Sequence, residues 1–92
     1  MNKESPKYRR VYLLNRIHRS MTHSHVRGMF VNIKGHLNTK SVEVKDLLNR
    51  KYAEITINPD HQWFYGRRVS IIVLTKLGKA YLKRNKHMLD NI

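Results

Sequence analysis

The segment Asn58-Pro59-Asp60-His61-Gln62-Trp63-Phe64-Tyr65-Gly66-Arg67-Arg68 holds the densest collection of chemically able side chains in this sequence. Trp63, Phe64 and Tyr65 can serve as platforms on which nucleic-acid bases stack, each worth ~1–3 kcal/mol. Arg67 and Arg68 can pair with backbone phosphate or enter a narrow minor groove. His61 can donate to phosphate and gains charge as pH falls through ~6.5. The competing use of the rings is structural: at least one of the three turns inward to finish a thin core, Phe64 first and Trp63 as the next candidate.

Two other groups have suitable chemistry. Lys45, Asn49 and Arg50 are side-chain types that read bases, since Arg bonds guanine bidentately and Asn bonds adenine. Glu43 and Asp46 lie beside them and repel phosphate, although a carboxylate can accept from cytosine N4. Local charge pairing is the competing reading of that cluster. Arg9, Arg16 and Arg19 share one side of a helical pattern with Tyr8 and Tyr12 between them. That face suits phosphate contact, or equally a solvated surface of long side chains lying over rings.

Catalytic and metal chemistry find little support. Six histidines are present, and His23-x-His25 shares one face on a strand, but no carboxylate lies near it to complete a site. Glu43 and Asp46 have no acid–base partner. There is no cysteine, which removes disulfides, thiol catalysis and Cys-based zinc sites. Gly28, Gly35, Gly66 and Gly78 are scattered, not grouped in a phosphate loop. No catalytic residue, metal or cofactor is expected.

Composition narrows the partner. Nineteen Lys and Arg against six Asp and Glu give a formal charge of +13 on 92 residues. That balance points to a polyanion, most simply nucleic acid. No apolar run approaches the ~18 residues of a membrane span, and no signal segment opens the chain. A cytoplasmic protein is expected, nucleoid-associated if bacterial or viral. A chain this short buries only roughly 60–65% of its unfolded surface, so a single thin-cored domain is expected, ordered over about 7–89.

The elements that must position these groups follow from periodicity. Residues 7–22 read as a helix, with Ser5 or Asn2 near its start and Pro6 in its first turn. Its inward stripe is Val11, Leu14, Ile17, His18 and Met21. Residues 23–38 carry Val26, Met29, Phe30, Ile33 and Leu37 at helical spacing, which favours a short second helix ended at Gly35; Met29–Ile33 also reads as a strand. Residues 40–52 read as a third helix, capped by Ser41 or Thr39, with Val44, Leu47 and Leu48 inward. Tyr52–Ile57 alternates as a strand with Ala53, Ile55 and Ile57 on one side. Asn58-Pro59-Asp60 is a turn signal, and Gly66 suits a bend. Val69–Leu74 is apolar on both faces, so either something covers both or one face meets a partner. Residues 76–89 read as a last helix with Leu77, Ala80, Tyr81 and Met88 inward, Lys76, Lys79, Lys83 and Lys86 outward, and Leu82 and Leu89 as a small separate stripe.

The order strand, long basic loop, strand, Leu74-Thr75-x-x-Gly78, helix resembles the end of winged-helix DNA-binding domains. The resemblance spans roughly 7–89. It implies an α+β fold with three N-terminal helices, a β-hairpin wing over 58–68 and a C-terminal helix. It further implies that 40–52 is the recognition helix and that the C-terminal helix can make a homodimer contact. The function expected is a non-enzymatic double-stranded DNA-binding protein, a small transcriptional regulator. Two alternatives stand beside it. One is an RNA or single-stranded DNA binder using the aromatic loop. The other is a protein-binding inhibitor or adaptor anchored by Trp63.

Overall fold

The first helix begins where the sequence provides a cap. In the computed structural model, which describes residues 5–23, 27–33, 35–57, 63–64, 67–68 and 70–90 (63–64 and 67–68 as backbone), the Ser5 hydroxyl accepts from the Tyr8 amide at 3.1 Å. Pro6 follows at the first helical position, where its missing N–H costs nothing. Helix α1 (Pro6–His23) buries Val11, Leu14 and Ile17, with Leu13 and Tyr8 added to that side. Tyr8, placed on the basic face by periodicity, is only 6% exposed, while Tyr12 beside it is half exposed.

The second helix expected within 23–38 is not what the described residues form. Strand β1 (Met29–Phe30) stands there, followed by turns. Backbone geometry explains the difference. Arg27, Asn32 and Gly35 all have positive φ (57°, 61° and 85°), which a right-handed helix cannot hold. Gly28 passes so close to the sheet that a Cβ would lie 2.9 Å from the Ile72 carbonyl oxygen. Two helices, not three, precede the hairpin among the described residues.

Helix α2 (Val42–Asn49) is capped at both ends. The Ser41 hydroxyl accepts from the Val44 amide at 3.2 Å. At the exit, Arg50 is the C-cap and Lys51 takes the left-handed conformation, φ 64°. The Lys51 amide bonds to the Leu48 carbonyl and the Tyr52 amide to the Leu47 carbonyl. This is the Schellman pattern, here with lysine where glycine is usual.

Strand β2 (Ala53–Thr56) leaves that cap directly. Strand β3 (Trp63–Phe64) pairs with β4 (Arg67–Arg68), Trp63 opposite Arg68 and Phe64 opposite Arg67. The Asn58-Pro59-Asp60 turn and the Gly66 bend lie outside the described residues. Strand β5 (Ile71–Leu74) forms the centre of an antiparallel sheet of order β1-β5-β2. Its two faces are covered separately. Ile72 and Leu74 join the main core, and Ile71 is buried on the opposite face, close under Gly28. On edge strand β2 only Ala53 is buried. Ile55 and Ile57, expected to face inward with it, remain 39% and 37% exposed.

Helix α3 (Lys76–Asn85) opens at Thr75, whose hydroxyl accepts from the Gly78 amide at 3.0 Å. The same hydroxyl donates to the Lys51 carbonyl at 2.6 Å, and the Thr75 amide donates to the Tyr52 carbonyl at 3.1 Å. Gly78 sits against that carbonyl so closely that any Cβ would overlap its oxygen. With Gly78 fixed inward, the buried stripe is Gly78, Tyr81 and Leu82. This corrects the expected face: Leu77 and Ala80 are exposed, and Leu82 is core. A last turn, α4 (His87–Asp90), buries Met88.

Two substitutions test this junction. Gly78→Ala is expected to cost more than ~3 kcal/mol, because backbone overlap cannot relax through a rotamer. Thermal unfolding followed by circular dichroism should show its transition largely lost. Lys51→Gly is expected to stabilise the fold by about 0.5–1 kcal/mol, the left-handed penalty relieved less the added unfolded-state entropy. A urea midpoint that does not rise would contradict that reading.

Candidate nucleic-acid interface

Three side-chain clusters were singled out from the sequence, and the structure joins two of them. The Arg9 guanidinium lies 3.3 Å from the Glu43 carboxylate, both half exposed, so the basic face of α1 begins against the flank of α2. The next residue, Arg10, makes the stronger contact. Its Nε donates to Asp46 Oδ2 at 2.7 Å and its Nη1 to the Tyr81 hydroxyl at 3.2 Å. The second Asp46 oxygen accepts from Arg50 Nε, also at 2.7 Å. One carboxylate thus ties α1 to α2 and, through Arg10, to α3.

Burial pushes the Asp46 carboxyl up, but the hydrogen bonds from Arg10 and Arg50 outweigh it and hold it below the ordinary carboxylate range. Burial likewise pushes Arg10 down, and its bonds to Asp46 and Tyr81 raise it overall. Tyr81 is held in turn by its ring, which stacks on Tyr52 at 4.4 Å between centroids.

Arg10 was absent from the residues chosen by periodicity, yet the signal was there. At about 100° per residue it falls inside the apolar stripe, between Leu14, Ile17 and Met21. A cation on an inward face needs an acidic partner, and Asp46 is one of only six acids in the chain.

These pairs decide what α2 offers to solvent. Glu43, Asp46 and Arg50 occupy one flank and are engaged in ion pairs. Arg50, expected as a free base or phosphate reader, therefore has its Nε committed to Asp46. Lys45 and Asn49 are exposed and, among the described residues, have no side-chain partner. Val42 joins them on the outer side at 82% exposure, a residue the sequence reading passed over.

Arg16 lies seven residues beyond Arg9, within about 20° of the same line on the helix. Arg16 and Arg19 are exposed and make no ion pair among the described residues. Ahead of α2, Asn32 Oδ1 accepts from both the amide and the hydroxyl of Thr39, and Asn38 Oδ1 accepts from the Lys40 amide. These bonds shape an open recess of about 450 Å³ lined by Asn32, Ile33, Gly35, His36, Asn38 and Lys40. His61 lies outside the described residues, as do the side chains of Trp63, Arg67 and Arg68; the backbone of Trp63 pairs with that of Arg68 and the backbone of Arg67 with that of Phe64. Among the described residues no group of three His, Asp or Glu could hold a metal ion, and no helix is long and apolar enough to cross a membrane. No family model matches this chain, and comparison with curated proteins and with solved structures finds no match either.

The Asp46 pairs yield a pH-dependent expectation. A carboxyl whose folded pKa lies below its unfolded value, near ~3.9, stabilises the fold above that value and loses the effect as pH falls through the folded pKa. Asp46→Asn should therefore cost about 1–2 kcal/mol near neutral pH, and the gap to the native chain should close below about pH 4. Urea unfolding at several pH values measures both; a gap that stays constant into acid would mean that the charge is not what Asp46 contributes.

Proposed function

We propose that this chain is a non-enzymatic double-stranded DNA-binding protein of winged-helix type, a small regulator of transcription. In this reading α2 enters the major groove and the hairpin over 58–68 serves as the wing. The observation that carries it is the direction of the two α2 acids. Glu43 and Asp46 are turned onto α1 and held by Arg9, Arg10 and Arg50, so the outer side of α2 carries Lys45 and Asn49 without a carboxylate. The +13 charge supplies the long-range attraction to phosphate. Thr75 and Gly78, which carried the resemblance, have physical roles at the joint between α2 and α3.

One departure alters the geometry. The expected second helix is replaced by β1 and a turn, so α2 is presented by the Asn32–Thr39 and Ser41 bonds and by the Arg10–Asp46 pair instead of by a preceding helix.

The test is fluorescence anisotropy with random duplex and random single-stranded DNA across a salt series. Duplex binding with a steep salt slope is expected. Arg16→Ala with Arg19→Ala should weaken all sequences alike and lower the slope by about two. Arg9→Ala should matter less, because Glu43 already offsets its charge. Arg67→Ala with Arg68→Ala should also weaken every duplex and flatten the slope; unchanged binding would remove the wing from the reading. A single-strand preference abolished by Trp63→Ala would overturn the duplex reading in favour of base stacking. Binding to neither form at low salt would overturn it in favour of a protein partner.

A further inference from the structure

Val42 is the most exposed of the large apolar side chains among the described residues, at 82% against 50% or less for Tyr12, Leu77, Ile55 and Ile57. It occupies the first helical position after the Ser41 cap. Lys45 and Asn49 follow at i+3 and i+7, so the three side chains form one ridge along α2. The ridge runs ~10.5 Å, about the rise of three base steps, on a helix whose width suits the ~12 Å major groove. The acids of the helix lie on a different flank and are held there by arginines. What remains on the ridge is a branched apolar group, an ammonium and a carboxamide.

We infer that this ridge is the base-reading edge and that Val42 reads thymine by packing on its 5-methyl group. The inference rests on the DNA-binding reading above and adds to it a residue and a base. Three chemistries meet three base features: an apolar group for the thymine methyl, Lys45 for the acceptors of guanine, Asn49 for adenine N6 and N7. Arg50 is excluded from this edge because Asp46 holds its guanidinium to the other flank. A protein partner fits the ridge less well. One valine between Lys40, Lys45 and Asn49 is far smaller than the apolar patch a protein interface centres on. The surrounding positive charge complements phosphate.

The experiment begins with a duplex selected from a random library by the native chain. Each thymine is then replaced in turn by deoxyuridine, which removes the methyl group alone. At one or more positions the native chain should bind the deoxyuridine duplex about three- to fivefold more weakly, the effect of one buried methyl. Val42→Ala should bind thymine and deoxyuridine duplexes alike at that position. Its side chain is solvent-exposed, so it should fold as the native chain does, which circular dichroism checks. Asn49→Ala should relax selectivity at a different position, whereas Arg16→Ala should weaken all these duplexes equally. Duplex binding without any selected sequence, no sensitivity to deoxyuridine, or a sensitivity that survives Val42→Ala would each overturn the inference and leave DNA binding standing. Absence of duplex binding by the native chain would overturn both.

Discussion

The backbone of Lys51 and Tyr52 is the point on which the rest of the structure depends. Both their carbonyls are taken by Thr75, one through its hydroxyl and one through its amide. Their amides close the end of α2. The Thr75 hydroxyl uses both of its capacities, donating to Lys51 and accepting from Gly78, so it ends one element and starts another with a single oxygen. Gly78 can lie against Tyr52 only because it has no Cβ, and that contact fixes how α3 is rotated about its own axis. The rotation in turn delivers the Tyr81 ring onto Tyr52 and its hydroxyl to Arg10. The placement of α1 against α3 therefore reaches back, contact by contact, to a turn of two residues.

The α+β character and most elements were legible in the sequence because local chemistry and tertiary structure agree there. Ser5, Ser41 and Thr75 cap as their types predict, and the 7–22 and 40–52 periodicities place α1 and α2 to within a few residues. Misreadings occurred where a long-range contact overrides periodicity. Val26, Met29, Phe30, Ile33 and Leu37 have helical spacing, but Met29 and Phe30 are drawn into pairing with Ile72 and Ile71, and Gly28 belongs against the sheet. In α3 the expected stripe is only partly kept: the Gly78 contact turns the helix so that Leu82, from the smaller stripe, is buried beside Tyr81 while Leu77 is exposed. Nothing in the local pattern weighs a backbone approach from residue 52.

The candidate interface was less legible than the fold for a related reason. Residue type identifies Lys45, Asn49 and Arg50 as capable readers, but which of them is free depends on where acids and bases meet between helices. Arg10 looks like a flaw in an apolar stripe until Asp46 is seen opposite it, 36 residues away. Once that pair exists, Arg50 is recruited by the same carboxylate at i+4, a spacing visible in sequence but not decisive there. Helical spacing alone puts Val42 on the outer side with Lys45 and Asn49, but how fully it is exposed is a property of the packed molecule.

Scarcity of acid makes these placements consequential. With 19 cations and six acids, each carboxylate that approaches arginines reduces self-repulsion more than it would in a balanced chain. Glu43 and Asp46 are spent between α1 and α2, where Arg9, Arg10 and Arg50 would otherwise face one another without an acid. Pairing there offsets repulsion inside the fold without diluting the exposed cations Arg16, Arg19 and Lys45. A domain with a thin core has little stability to set against unscreened charge. The same two acids thus serve the fold by their position and leave the outer side of α2 free of carboxylate.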